Sequence, residues 1–512
     1  MQVAESIRFI REICGKSAFF RVNARQIVVA LSAWLLAWGL VPHATADDEV
    51  RATPLRRDKR PPRLDLPPEV AALAGFSVVL GRPTDHAVTA SLVAQVAGDA
   101  YIEFTPAPGQ SQKRSELVSL SAQQPRHVLL APLPADQRVS YRAYFRAQGE
   151  RQFTPGPHQS FHTQRPPGSR FVFELQGDSH PERRQQFDPA WYGRTLRGVA
   201  ADEPDFYFLM GDDFSVDTLP EINAESVTQR YRLQRPFLAL VGQRAPLFLV
   251  NGNHEQAALA NFDGQPDNVA VWAQNARDAF FPQPAPDAFY AGNPVQMPHI
   301  GWLRNYFAWH WGDALFVVID PYWHSAKPVD NVLGGGAKNR DLWAVTLGEA
   351  QYRWLQDTLA NSKARYKFVF SHHVLGSGRG GVELAGMYEW GGRNRKGVDE
   401  FQRYRPGWAM PIHALFVKHR VSIFFQGHDH LFARQELDGV VYQTLPQPAD
   451  PNEALHFPEA YQRGDRLPNS GRVRVSVSPE KARVEYIRTS SHDGGTTAPE
   501  AVAYSYEVLP AR

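Results

Sequence analysis

The sequence predicts an α/β domain preceded by a small all-β sandwich. Three observations carry this. From about 70 to 165, short runs of alternating apolar and polar residues recur between turn residues. After a Pro/Gly stretch at 163–170 ("TQRPPGSR"), apolar strands alternate with helical stretches, the texture of an α/β domain. Five of those later strands end in Asp, Asn or His.

The elements follow in chain order. Residues 27–41 ("IVVALSAWLLAWGLV") are apolar but shorter than the roughly 20 residues of a spanning helix. Arg8, Arg11, Lys16, Arg21 and Arg25 precede this run, and "ATA" at 44–46 has the form of a cleavage site. We read residues 1–46 as an export signal cut after Ala46, with an uncleaved anchor as the rival reading. The expected location is secreted or periplasmic, with no membrane span after cleavage. The one cysteine, Cys14, lies in the signal, so the mature chain depends on no disulfide or thiolate ligand. The charge of +2 falls to −1 without the signal, and no stable nucleic-acid binding is expected.

Residues 47–69 are charged and proline-rich and read as a linker. The runs "FSVVLG", "AVTASLVAQ", "DAYIEFTPAPG", "RHVLLAPL" and "VSYRAYFRA" make up the sandwich, 70–165. The remainder, 166–512, is the α/β domain. A helix is expected over 347–362, where Ala350, Trp354, Leu355 and Leu359 recur at helical spacing. Residues 256–300 read as a long polar insertion, and 332–341 ("VLGGGAKNRD") as a flexible loop. The runs "GVVYQTL", "GRVRVSVS" and "ARVEYIRT" read as strands before a loose tail.

The strand ends carry the chemistry. "RFVFELQGDSH", "DFYFLMGDD", "APLFLVNGNHE", "YKFVFSHH" and "VSIFFQGHDH" bring Asp178, His180, Asp212, Asn253, His254, His372, His373, His428 and His430 to the carboxyl ends of strands, where α/β sheets bind ligands. Gly177, Gly211, Gly252 and Gly427 allow sharp turns there. Such a crowd is costly to bury unless cations compensate it. Oxygen and imidazole donors without sulfur suit Zn, Mn or Fe, and the donors suffice for two ions with a shared carboxylate.

The ordered series "GDSH", "GDD", "GNHE", "SHH", "GHDH", over roughly 170–435, resembles the calcineurin-like metallophosphoesterase family. The β-rich region before it resembles the fibronectin-like domain of purple acid phosphatases. The resemblance implies a two-sheet metallophosphoesterase sandwich flanked by helices. It also implies two divalent or trivalent ions and a small phosphate-ester substrate. By the family pattern Asp178, His180 and His430 hold one metal, Asn253, His372 and His428 the other, and Asp212 bridges them. His254 is the catalytic histidine that binds no metal. Purple acid phosphatases carry a tyrosine where "GDDFS" has Ser215, so their tyrosinate colour is not expected.

On this reading the metals activate a bridging water for attack on phosphorus, and His254 donates a proton to the leaving group. Arg379, Arg393 and His373 lie in the glycine-rich stretch after a ligand and are candidates for binding substrate. Tyr322 and Trp323 are read as packing before cleft wall, and Asp213, Glu255 and Asp429 as supporting or solvent-exposed. The favoured activity is a phosphomonoesterase. The alternatives are a diesterase for nucleotides or lipid head groups, and an inactive binding protein. An inactive homologue usually loses a ligand, and here every ligand position is filled.

Overall fold

Four residues show how the core is built. In strand Phe206–Leu209, Phe206 and Phe208 enter one apolar cluster and Tyr207 and Leu209 another, and all four are buried. A strand covered on both faces reads as a continuous apolar run. This is a computed structural model describing residues 64–255, 261–326, 341–375, 378–489 and 501–511. The expected signal, the linker up to 63 and loop residues 332–340 lie outside them.

Two sheets face each other. The first runs Leu247–Leu249, Phe206–Leu209, Phe171–Gln176, Gly471–Val477, Ala482–Arg488, Ala501–Val508. The second has eight strands, with Ala314–Val318, Tyr366–Phe370, Ile423–Gln426 and Val440–Thr444 parallel at its centre. Phe173, Phe208, Val475, Phe316, Phe370 and Phe425 fill the space between the sheets. Helices Pro189–Asp202, Ala224–Gly242 and Val269–Phe280 cover the outer face of the first sheet. Helices Gly348–Asn361 and Ile412–Lys418 cover the second. This is the helix-flanked sandwich that the sequence predicts. Phe171–Gln176, Phe206–Leu209 and Leu247–Leu249 are also parallel, so each sheet turns several carboxyl ends to one edge.

The N-terminal region forms two antiparallel sheets over one apolar core. One holds Phe76–Gly81, Val88–Ala94 and Arg126–Leu130; the other is built on Gly98–Thr105, Arg138–Ala147 and Thr154–His162. These strands are held to the α/β part. Arg235 of helix Ala224–Gly242 is buried and donates to Ser91 O (2.6 Å) and Ser91 Oγ (3.0 Å). Tyr141 donates to Gln243 O (2.6 Å). Within the 163–170 stretch Arg165 makes a bidentate pair with buried Asp205 (2.6 and 2.9 Å).

Four expectations change. The end of the expected linker packs: Leu64 and Leu66 rest on the helical core, and helix Pro68–Gly75 buries Val70 there. The 256–300 insertion contains helix Val269–Phe280, capped by Asn268. Its buried face includes Gln274 and Arg277, which donate to Leu303 O (2.8 Å) and Leu249 O (2.7 Å). In helix Gly348–Asn361 the buried face is Gln351, Tyr352, Leu355 and Leu359, with Ala350 exposed. The expected tail holds a strand, Ala501–Val508, paired with Ala482–Arg488, whose Tyr504, Tyr506 and Val508 pack on the core.

Candidate metal centre

Each site residue follows a strand. Asp178 and His180 follow Phe171–Gln176, Asp212 follows Phe206–Leu209, and Asn253 follows Leu247–Leu249. His372 follows Tyr366–Phe370, and His428 and His430 follow Ile423–Gln426. All seven are buried, none more than 7% exposed. His180, Asp212, His428 and His430 have φ of 45°, 59°, 71° and 55°. Four non-glycine residues in this sparse region mark a site whose backbone is fixed by its surroundings. The glycine reading changes accordingly. Of the four, only Gly211 has a positive φ (97°). A Cβ on Gly252 would collide with Asp212 Oδ1, so close approach is the reason for that glycine.

The side chains converge in two groups that share Asp212. His372 Nε2 lies 3.1 Å from Asp212 Oδ2, 3.0 Å from Asn253 Oδ1 and 3.2 Å from His428 Nδ1. Asp178 Oδ2 lies 3.1 Å from His430 Nε2 and 3.7 Å from His180 Nε2, and His180 Nε2 lies 3.8 Å from Asp212 Oδ2. Donors ~2.1 Å from one ion, at right or tetrahedral angles, stand ~3.0–3.4 Å apart. The first group matches this spacing and the second is slightly wider. His180 Nε2 is buried with no hydrogen-bond partner, while two carboxylate oxygens face it, as a cation between them would require. The residues present therefore fit metal ions.

The outer nitrogens set the tautomers. His372 Nδ1 donates to Met210 O (2.7 Å), which leaves Nε2 as the nitrogen that could ligate once it has released its proton. His180 Nδ1 meets Glu182 Oε1 (3.0 Å) and the hydroxyl of Ser215 (3.2 Å). Asp213, Glu255 and Asp429 are buried rather than exposed. Glu255 accepts from Gly252 N (2.7 Å) and Asp213 N (2.8 Å), which ties two ligand turns together.

Burial opposes charge throughout the cluster. At Asp178 and Asp212 neighbouring histidines, His372 foremost, overcome it and hold the carboxyls well below the usual range. At His372 burial is overcome by Asp212 and Asp178, which push the ring up to about 10. At His254 it is overcome by Asp212 and Asp217, which push the ring up to about 9. Burial drives His428 and His430 well below 6.5, so both are neutral and ready to ligate. Without ions, protons on His372 and His254 thus balance the carboxylates. Their pKa values are raised above the unfolded value of 6.5. Their stabilisation is then full below that value and lost as pH rises through about 9 to 10. Chelator-stripped protein is expected to melt at steadily lower temperature as pH rises across that window. Metal-loaded protein, whose ligands have already released their protons, should not. Fluorimetric melting at graded pH measures both, and a flat profile for stripped protein would refute the charge balance.

The expected substrate residues stand differently. His373 is buried, its ring packed on His428 and Tyr322 (centroids 5.0 and 5.7 Å). Arg379 is engaged with Asp429 (3.2 Å) and His428 O (2.6 Å) and stacks on Phe457, so its fork braces a ligand turn. Arg393 is exposed, its backbone bridged to Met387 and Asp399. Tyr322 and Trp323 are buried in a packed cluster. Two residues not singled out in the sequence meet His254: Asp217 Oδ1 accepts from Nδ1 (2.8 Å), and Arg183 Nη2 lies 3.0 Å from Nε2. The signal for both is faint, a single charged residue three to five positions after a ligand.

The calcineurin-like phosphoesterase family matches residues 175–432, half of the chain. The chain belongs to the calcineurin-like phosphoesterase family. It is a hydrolase of phosphoric ester bonds, as that family is, and its clustered His and Asp side chains are able to bind metal. No curated protein matches the chain. Among solved structures, PhoD superposes with a TM-score of 0.60 at 13% identity, over 88% of this chain and 92% of PhoD. The purple acid phosphatase PPD1 from yellow lupin (Lupinus luteus) seeds superposes with 0.55 at 14% identity, over 84% of this chain and 74% of that one. At these identities the likeness is one of fold. Among the described residues no helix of this phosphoesterase is long and apolar enough to cross a membrane.

Proposed function

We propose that the chain is an exported, binuclear metal-dependent phosphomonoesterase, secreted or periplasmic, using Fe, Zn or Mn. The observation that carries this is the pair of donor groups Asp178/His180/His430 and Asp212/Asn253/His372/His428, with Asp212 Oδ2 also 3.8 Å from His180 Nε2 and so in reach of both. The export signal 1–46 and the roles of the linker and the fibronectin-like 70–165 region rest on the sequence.

When bound, the two ions would supply an activated water at neutral pH and neutralise the phosphate. The chain's own residues do the rest. Asp178 and Asp212 would hold the ions with charge, and the amide of Asn253 would ligate without adding more. Asp217 holds the Nδ1 proton of His254 (2.8 Å), so Nε2, on the side of Asp212 (3.9 Å), is the nitrogen that can take up and give a proton once the bond it accepts from Arg183 Nη2 (3.0 Å) is released. Ser215 beside His180 leaves that position without a phenolate.

Metal analysis beside a substrate panel tests the reading. Two ions per chain are expected, with turnover on para-nitrophenyl phosphate above that on bis(para-nitrophenyl) phosphate. Chelation should remove the activity, and iron-loaded protein should show no tyrosinate band. Faster diester turnover would replace the reading with a phosphodiesterase. Fully loaded protein that cleaves neither ester would be a binding protein.

A further inference from the structure

We infer that Arg183 is a substrate-binding residue that grips the phosphoryl group beside His254, selecting the dianionic phosphate of a monoester over a diester. The inference rests on the phosphoesterase reading and deepens it.

Arg183 sits three residues after His180, at the first turn of the centre. Its Nη2 lies 3.0 Å from His254 Nε2, which itself lies 3.9 Å from Asp212 Oδ2. The guanidinium thus stands one imidazole away from the carboxylate shared by the two donor groups. It is 32% exposed beside ligands that are fully buried, so it belongs to the mouth of the centre and not its floor.

The nearby carboxylates are hydrogen-bonded to histidines, and Glu182 also makes a long ion pair with Arg183. Glu182 is 3.0 Å from His180 Nδ1 and only 3.7 Å from Arg183 Nε. Asp217 is bonded to the far nitrogen of His254. Of the five N–H donors of the Arg183 fork, His254 takes one. Arg379, by contrast, is paired with Asp429 and backbone. A planar fork with spare donors at the mouth of a cationic centre matches two oxygens of a phosphoryl group. A monoester offers a second negative charge there and a diester does not.

A purely supporting role for Arg183, holding His254 in place, makes a different prediction, and the test separates the two. Metal-loaded Arg183→Ala and Arg183→Lys are compared with the native protein for affinity toward inorganic phosphate by calorimetry, and for turnover. Metal content and melting temperature confirm that the half-exposed site still folds. We expect phosphate affinity to fall roughly 10–100-fold in the alanine variant, the range of a lost charge-assisted contact. KM for para-nitrophenyl phosphate should rise similarly, KM for the bis ester should change less, and lysine should restore part of the loss. Unchanged phosphate affinity would overturn the inference. So would a loss confined to kcat that grows with leaving-group basicity and vanishes in a His254→Ala background, because Arg183 would then act only through His254. If native protein cleaved no ester, the proposed activity would fail, while the phosphate titration would still decide the role of Arg183.

Discussion

Asp212→Asn is expected to leave the protein with one ion per chain or none, and to lower turnover roughly 10²–10⁴-fold. That range corresponds to the about 3–5 kcal/mol lost when a buried charge pair is broken from one side. The substitution is informative because it changes little else. Oδ1 of Asp212 accepts from His254 N (2.9 Å), and an asparagine oxygen can accept the same bond. The turn with its positive φ is one that asparagine adopts readily. What disappears is the charge at Oδ2, which lies 3.1 Å from His372 Nε2 and 3.8 Å from His180 Nε2, one from each donor group. Two cations held close together would repel, and this oxygen lies within reach of an imidazole of each group. Elemental analysis after passage through a desalting column gives the stoichiometry, and melting temperature with and without added metal gives the fold. Two retained ions would mean that Asp212 is not the bridge.

The convergence of these side chains was legible because each expected ligand follows an apolar run, and parallel strands of both sheets end on one edge. The order of the motifs needed no knowledge of helix boundaries. What surrounds the ligands was not legible, for a physical reason. Asp429 neutralises Arg379, but 50 residues separate them and nothing local announces the pair. Arg379 therefore reads as a spare cation until the fold is known. Arg183 and Asp217 suffer the reverse error: each is one charged residue in a loop, given meaning only by the ring of His254. The same logic applies to the fold. Helix Val269–Phe280 buries Gln274 and Arg277, which distant carbonyls satisfy, so part of its buried face is made of residue types that read as surface. Strand Ala501–Val508 alternates small and polar residues with Tyr504 and Tyr506, a weak period that its pairing partner makes decisive.

His254→Ala is expected to behave in the opposite manner to Asp212→Asn: full metal content with turnover down by ~10²–10⁴, the usual range for a positioned acid–base group. The geometry alone admits a rival, because His254 Nε2 lies within reach of His180 and Asp212 and could complete a third donor group. Two contacts argue against it. Arg183 directs a guanidinium at that same nitrogen from 3.0 Å, a poor neighbour for a bound cation. Asp217 at Nδ1 (2.8 Å) stabilises the protonated ring, which suits a proton donor. The loss should therefore depend on the ester. It should be small for nitrophenyl esters, whose leaving group departs unprotonated, and large for alkyl esters, whose alkoxide needs the proton. Asp217→Asn should show the same dependence more weakly, since the imidazole remains and only its orientation and proton affinity change. Turnover across a series of leaving groups, beside metal stoichiometry for each variant, separates the outcomes. Loss of an ion from His254→Ala would make the residue a ligand. Full activity on alkyl esters with both ions present would make it a bystander and leave the leaving-group proton to another donor.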